Sequence, residues 1–195
     1  MQAPAAFARF IADIRALWSR EPDMARRMEQ ATPMLQRLVL DDALKESAAR
    51  WPSTEGRRNL LLYVDDEHGF AVNAVVRAPG RKGGVHDHGH AWVLYALLDG
   101  TESLERYDRI DDGNHAGHAR LRLSSVTTGT RGKVDLVPPF AIHAEQGGPA
   151  RSVAIILRSQ RLGEGTILQH SYDPAAGTVT EQFGPTQIPY DLAAS

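Results

Sequence analysis

The chain has 195 residues, 42% of them hydrophobic, which suits one domain with one buried core. Its 22 lysines and arginines are nearly balanced by 24 aspartates and glutamates, which argues against a nucleic-acid-binding surface. The absence of cysteine excludes disulfides and thiolate metal sites, and no apolar run reaches the roughly 20 residues of a membrane span. With no signal-peptide pattern at the N-terminus, we expect a cytoplasmic protein without a membrane partner.

Residues 1–50 are predicted to form helices that pack on the rest of the domain. Apolar residues recur there at helical spacing: Phe7, Phe10, Ile11, Ile14, Leu17 and Trp18. Charged residues occupy the opposite faces, which favours packing against a core over a membrane or partner helix. Pro22 and Pro33 are expected to divide the segment into about three helices.

From residue 59 onward the pattern changes to short β-rich runs separated by turn signals. Seven strands are predicted, at residues 60–64, 70–77, 91–98, 102–109, 121–127, 133–137 and 152–158. Residues 172–177 predict a further hairpin. Short strands at this spacing indicate an all-β sandwich or barrel, so we expect one domain over residues 1–195, with the barrel and tail at 58–195.

A metal site is indicated by three histidines in the barrel region. His86 and His88 are two residues apart, and alternate side chains of an extended strand point to the same face. His143 follows a proline pair at 138–139 and offers a third imidazole. Imidazole ligands suit iron, nickel, copper and zinc.

The sequence favours a site without a carboxylate ligand. Where many such barrels place a glutamate, shortly after the second histidine, this chain has Trp92 and Val93. Glu102 and Glu105 lie beyond the next turn and are poor candidates.

Two further residues are candidates for the surroundings of the site. His90 would face the same side as His86 and His88 if the strand stayed regular, as a ligand or as a neighbour of the ligands. Gly89 could instead bend the strand. Tyr95, on the following strand, is a possible pocket hydroxyl that we expect mainly to pack.

From about Phe7 to Gly177 the chain resembles the cysteine dioxygenase type I family, the thiol dioxygenases of the cupin superfamily. The resemblance rests on His86-Asp87-His88 with Gly100 twelve residues later, on Ile142-His143 and on Arg58-Asn59-Leu60. It implies a cupin double-stranded β-helix barrel with an N-terminal helical segment. It also implies a mononuclear Fe(2+) held by the three histidines, a small carboxylated thiol oxidised by O2 to its sulfinate, and Arg58 as the carboxylate-binding residue.

The chain departs from the family pattern on the strand at 152–158. Ile156 and Arg158 stand where family members carry the histidine and tyrosine of a Ser-His-Tyr relay, and Val93 replaces a cysteine that some members link to that tyrosine. Arg158 either enters the pocket, where it would suit a dianionic thiol such as mercaptosuccinate, or lies exposed at the barrel rim. Arg57 is expected to face away from Arg58 on a regular strand.

Three functions remain open at this point. The first is a thiol dioxygenase acting on mercaptosuccinate, 3-mercaptopropionate or cysteine. The second is a three-histidine cupin dioxygenase that cleaves C–C bonds of a diketone or aromatic compound, which would need an apolar pocket. The third is a non-catalytic metal-binding cupin. No residue is singled out as a catalytic acid or base, and the sequence does not define an oligomeric state.

Overall fold

The computed structural model of the chain describes residues 4–161 and 168–192. Three helices come first: α1 (Ala5–Arg20), α2 (Met24–Val39) and α3 (Asp42–Ala48). The described residues then form the strands β1 (Arg58–Val64), β2 (Ala71–Arg77), β3 (Val85–His86), β4 (Val93–Asp99), β5 (Thr101–Arg109), β6 (Leu121–Thr130), β7 (Val134–Val137), β8 (Ile142–Gly147), β9 (Ser152–Arg158), β10 (Leu168–Asp173), β11 (Thr178–Phe183) and β12 (Thr186–Pro189). Within these ranges, no helix combines the length and apolarity needed to cross a bilayer.

The strands form two six-stranded sheets. One has the order β12-β1-β2-β9-β4-β7 and the other the order β11-β10-β3-β8-β5-β6. All pairings are antiparallel except that of β1 with β12. The chain therefore folds as a mainly β double-stranded β-helix barrel with an N-terminal helical segment. This confirms the fold class expected from the sequence.

The first sheet is buried on both faces at its centre, where every residue of β2 and β9 is buried. One face packs on the helices and the other lines the barrel, because side chains alternate along a strand. On the helix side, Ile14, Leu17, Met28 and Leu35 join Val72, Ala74, Leu94, Ala96, Ile155 and Leu157 in one apolar core. The barrel side of the same strands carries Asn73, Tyr95, Ile156 and Arg158, so β9 presents polar groups only to the interior.

The helix boundaries differ from the expectation at one proline. Pro22 lies between α1 and α2 as expected, but Pro33 lies inside α2 and does not end it. Pro33 and Glu29 are both exposed, so water can satisfy the Glu29 carbonyl that proline leaves without an intrahelical donor. The break comes instead at Asp41, whose carboxylate accepts a hydrogen bond from the Leu44 amide at 2.8 Å and caps α3.

The seven predicted strands correspond to β1, β2, β4, β5, β6, β7 and β9, and the tail hairpin is β10–β11. The extended strand expected at His86 and His88 corresponds to β3, which ends at His86, and sequence patterns did not predict β8 or β12. β8 was not predicted because its sequence, Ile-His-Ala-Glu-Gln-Gly, has no run of apolar residues. His143 and Glu145 are buried nonetheless, and Glu145 lines a polar cavity inside the barrel.

Asp65 connects α1 to the turn between β1 and β2. Its fully buried carboxylate accepts hydrogen bonds from the Tyr63 hydroxyl (2.9 Å) and the His68 amide (2.8 Å), and it pairs with the Arg15 guanidinium. Burial alone would raise the pKa of Asp65, but these hydrogen bonds and the Arg15 charge outweigh it and hold the pKa below its usual value.

We expect Asp65→Asn to lower the free energy of unfolding by about 1–3 kcal/mol at pH 7, because buried hydrogen-bond donors lose their charged acceptor. A carboxylate with a depressed folded-state pKa stabilises fully above its unfolded pKa of about 3.9 and loses this effect as the pH falls through the folded value. Urea unfolding at pH 7, 5 and 3 should therefore show the difference from wild type shrinking below about pH 4. The exposed neighbour gives the control Asp66→Asn, and a difference independent of pH would contradict the assignment.

Candidate metal centre

His86 and His143 become neighbours through strand pairing. β3 and β8 are antiparallel, and their register sets His86 directly opposite His143. The two ring centroids are 4.4 Å apart, and the His88 ring lies 4.8 Å from each. The candidate ligand atoms of the three residues all lie within 4.8 Å of one another. The structure thus brings together the three histidines that the sequence nominated.

His88 reaches the cluster through a turn organised by Asp87. One carboxylate oxygen of Asp87 accepts hydrogen bonds from the amides of Gly89 (2.9 Å) and His170 (3.0 Å). The other accepts from the Tyr172 hydroxyl (3.0 Å) and lies 2.8 Å from His170 Nδ1. Gly89 has a φ of +56°, which bends the chain after His88. Strand alternation alone does not align His86 with His88, since β3 ends at His86.

The third histidine follows a tight turn. The Ala141 amide donates to the Pro138 carbonyl at 3.2 Å, and Phe140 has a φ of +60°, a conformation rare for a bulky residue. Proline at the second position and a positive φ at the third correspond to a type II turn. The Phe140 amide also donates to the Gly89 carbonyl at 2.9 Å. The two ligand-bearing turns are therefore held against each other.

Two of the three histidine rings, those of His86 and His143, each present a free Nε2 to the cluster. His86 Nδ1 lies 3.0 Å from the Gly84 carbonyl oxygen, and His143 Nδ1 lies 2.9 Å from that of Ala141. A carbonyl only accepts, so each Nδ1 carries the hydrogen and each Nε2 keeps its lone pair. His143 Nε2 is buried and makes no hydrogen bond to any described residue, and a metal ion would satisfy this orphaned acceptor.

Burial keeps the imidazoles of His86 and His88 neutral. The pKa of His86 is lowered to about 4 by burial, with a further contribution from the neighbouring His143. The pKa of His88 is lowered well below its ordinary value by burial and then by the positive charge of Arg158. Neutral imidazole is the metal-binding form, so the residues present fit a divalent ion.

Arg158 points into the barrel, next to the cluster. The residue is 2% exposed, and its guanidinium donates from Nε to Asn73 Oδ1 at 3.2 Å and comes within 3.5 Å of His88 Nδ1. With the Asn59 amide oriented to satisfy its neighbours, that amide oxygen accepts from Arg158 at 3.0 Å. Burial lowers the pKa of Arg158 to about 10, so it stays charged at neutral pH. Of the two placements considered from the sequence, the structure has the one inside the pocket.

His86 and His88 line a cavity of about 400 Å³. Both Arg58 and Arg158 also line it. Arg58 is the first residue of β1 and is exposed. Arg57 was expected to face away, but it lines the same cavity and donates to the Gln169 side chain at 3.3 Å. The alternation rule fails for Arg57 because that residue precedes the strand. Gln169, absent from the sequence-based candidates, lies 2.7 Å from His88 Nδ1 and orients that ring.

His90 and Tyr95, the two candidates for the surroundings of the site, differ in their contacts. His90 is exposed and packs edge-on against Phe140, with ring centroids 4.7 Å apart. It lies outside the three-histidine cluster because the turn at Gly89 ends the alternation. Tyr95 is buried, lines the cavity and donates from its hydroxyl to Glu102 at 2.7 Å. It therefore makes a specific polar contact in addition to packing.

Sequence reasoning missed one carboxylate near the cluster, that of Glu145 on β8. It is 5% exposed, lines the cavity and pairs with Arg77 at 3.3 Å. Burial alone would raise the pKa of Glu145, but its interactions with the neighbouring His143, His86 and Arg77 outweigh burial and hold it well below its usual range. The available signal was its position two residues after His143, which places both side chains on one strand face, but β8 had not been recognised as a strand.

No protein-family model matches the chain. Among solved structures, it is similar to the cupin domain of Schizosaccharomyces pombe Cnp3 (12% identity, 53% of this chain and 64% of that one, TM-score 0.41). It is also similar to an uncharacterised double-stranded β-helix protein of Klebsiella pneumoniae (13%, 72% and 89%, 0.43). A third is a hydroquinone 1,2-dioxygenase in complex with Cd²⁺ and 4-hydroxybenzonitrile (10%, 82% and 82%, 0.46). The chain spans less than two thirds of the first of these structures.

Because three imidazoles, two of them buried and one half-buried, converge on one point, we expect about one divalent ion per chain, lost when one ligand is removed. His86→Ala and His143→Ala should each reduce the metal content measured by elemental analysis to near zero. His90→Ala is the matched control and should keep the wild-type content. Full metal occupancy in both ligand variants would disprove the assignment.

Proposed function

We propose that this protein is a mononuclear iron thiol dioxygenase acting on a small anionic thiol. The reaction adds both atoms of O2 to the sulfur, so that a thiol RSH becomes the sulfinic acid RSO2H. The sulfur is oxidised by four electrons, O2 is the oxidant, and no further reductant is required. Fe(2+), when bound by the three histidines, would supply the activation of O2 and of the thiolate.

The observation that carries this proposal is the buried charge of Arg158. No carboxylate among residues 4–161 and 168–192 lies within ion-pair distance of it, although its side chain is almost fully buried. Burying an unpaired charge is costly, and amide oxygens compensate for it only in part. A substrate carboxylate would complete the pair, and the guanidinium matches its planar geometry.

The rest of the cavity supports an anionic substrate. Among its described lining residues, six cationic side chains accompany one carboxylate, that of Glu145: Arg57, Arg58, Arg77, Arg81, Lys82 and Arg158. Such a lining attracts anions and strengthens their binding where water is excluded. It does not favour the apolar substrate that C–C cleavage of a diketone or aromatic compound would require.

The chain's own residues would bind and orient the substrate. Arg158, beside His88, would hold a carboxylate close to the sulfur, and Arg58 at the cavity rim would hold a second one. Ile156 and Arg158 cannot replace a histidine–tyrosine proton relay, since arginine stays protonated and isoleucine has no proton to give. We therefore assign Arg158 to binding, and its buried neighbours Asn59 and Asn73 to holding the guanidinium in place.

Oxygen uptake separates the candidate functions. Iron-loaded protein is supplied with mercaptosuccinate, 3-mercaptopropionate, cysteine, a β-diketone or a catechol, and sulfinate is quantified. We expect uptake with thiols only and the highest kcat/KM for mercaptosuccinate, because it alone carries two carboxylates. Uptake only with the diketone or catechol would favour C–C cleavage. Metal binding with no turnover of any compound would favour a non-catalytic cupin.

Arg158→Gln tests the role of the buried guanidinium. Removing one partner of a desolvated charge pair costs about 2–5 kcal/mol, so kcat/KM for mercaptosuccinate should fall at least about 30-fold. The preference over cysteine should shrink, since cysteine brings an ammonium that Arg158 repels. Metal content should persist. An unchanged substrate ranking would remove Arg158 from substrate selection.

Arg58→Lys tests the rim site, because it keeps the charge but loses the two-pronged geometry that matches a carboxylate. Exposed charge pairs contribute less than buried ones, so we expect a smaller loss of kcat/KM than in Arg158→Gln. The loss should appear for mercaptosuccinate and be weaker for the monocarboxylate 3-mercaptopropionate. Equal kinetics of Arg58→Lys and wild type with both thiols would exclude Arg58 from binding.

A further inference from the structure

Glu145 shares the inward face of β8 with the third histidine. The two residues are two positions apart on one strand, so their side chains point the same way. Glu145 Oε1 lies 3.3 Å from His143 Nε2, and Glu145 Oε2 lies 3.3 Å from the Arg77 guanidinium. Both side chains of the Glu145–His143 pair are buried.

The contact joins two atoms that both accept. His143 Nδ1 carries the ring hydrogen, because it faces the Ala141 carbonyl at 2.9 Å. The lone pair of Nε2 therefore lies close to a carboxylate oxygen in a site shielded from water. Two acceptors repel at this distance unless a cation lies between them. A bound metal ion would provide that cation and bond to both.

The geometry fits a shared ion better than a shared proton. A proton would lie on the line between the two atoms as a hydrogen bond, and His143 Nε2 makes none to the described residues. Two ligand atoms that bind one ion at right angles, each about 2.1 Å from the ion, lie about 3.0 Å from each other. In this arrangement the lone pair of each ligand atom points at the ion and not at the other ligand atom. The observed 3.3 Å is close to that separation.

The charges around Glu145 also leave one of its oxygens available. Arg77 divides its guanidinium between Glu145 and Glu102, each at 3.3 Å. Glu102 is further held by Tyr95 (2.7 Å) and Ser152 (2.6 Å) and so belongs to the wall of the barrel. Glu145 Oε2 faces Arg77, and Glu145 Oε1 faces the histidine cluster.

We propose that Glu145 is a fourth protein ligand of the metal, so that the site consists of three imidazoles and one carboxylate. This differs from the three-histidine set that the family resemblance implies. Four protein ligands leave two positions of a six-coordinate ion for the two reactants. If the proposed function holds, this ligand set favours a thiol that binds the metal through sulfur alone. It disfavours cysteine, whose amine would compete with O2 for the second free coordination position.

Cobalt(II) binding to metal-free protein tests the ligand without relying on catalysis. Wild type, Glu145→Gln and Glu102→Gln are titrated with Co²⁺, with affinity measured by chelator competition and the ligand field by visible absorption. Glu102→Gln is the matched control, because it removes a carboxylate from the same Arg77 without facing the cluster. Circular dichroism checks the folding of each variant.

We expect Glu145→Gln to weaken Co²⁺ binding by about 100-fold or more, beyond the roughly 10–100-fold typical of groups that only support a ligand. Its visible spectrum should change, whereas Glu102→Gln should keep the wild-type spectrum. A crystal structure of the cobalt-loaded wild type should show a Glu145 oxygen about 2.0–2.2 Å from the ion. This measurement decides the question if the variant does not fold.

An unchanged spectrum in Glu145→Gln, or a Glu145 oxygen beyond about 3 Å from the cobalt ion, would overturn the ligand assignment. These outcomes are independent of thiol oxidation. If no thiol is oxidised but Glu145→Gln alters the cobalt site, the ligand assignment stands and the proposed function fails. If thiols are oxidised but Glu145→Gln leaves the cobalt site unchanged, the proposed function stands and the ligand assignment fails.

Discussion

The metal centre depends on one buried carboxylate, that of Asp87 between the two histidines of the His-x-His motif. Its two oxygens bind the amides of Gly89 and His170, the Tyr172 hydroxyl and the His170 ring. These contacts join the end of β3 to β10 and set the bend that turns His88 towards His86. Strand pairing adds His143 opposite His86. The three imidazoles are thus positioned by the contacts of Asp87 and by strand pairing, and such positioning by the protein reduces the entropy lost when a ligand binds.

The barrel interior is arranged around buried charges that fall into two groups. Arg77, Glu102, Tyr95 and Ser152 satisfy one another within the wall, and Glu145 joins them through Arg77. Arg158 lies in a second group, supported by neutral amides. The first group is close to internally balanced and so contributes to the structure of the wall. The second retains a net positive charge in a cavity, where a ligand can reach it.

This arrangement also gives β9 two roles. Its outward residues, such as Ile155 and Leu157, pack against the helices and fix the strand in the core. Its inward residues, Ile156 and Arg158, reach the cavity. Because the outward face of β9 is packed against the helices, the position of the strand is fixed. The Arg158 guanidinium on the inward face is therefore held close to His88. The N-terminal helices therefore contribute to the site although none of their residues is among those lining the cavity.

Local patterns in the sequence determined the helices, seven strands, the barrel class and the histidines of the candidate site, because each depends on periodicity or on short spacing. The break at Pro33 was predicted wrongly, since a solvent-facing proline leaves only a hydrated carbonyl unpaired. The inward direction of Arg158 and the contribution of Arg57 were decided by the tertiary structure, which sets the register of β9 and the start of β1. Glu145 and Gln169 belong to strands without an apolar pattern, and they are buried only because the opposite sheet encloses a polar cavity. Such burial arises from contacts between residues far apart in the chain, which no local pattern records.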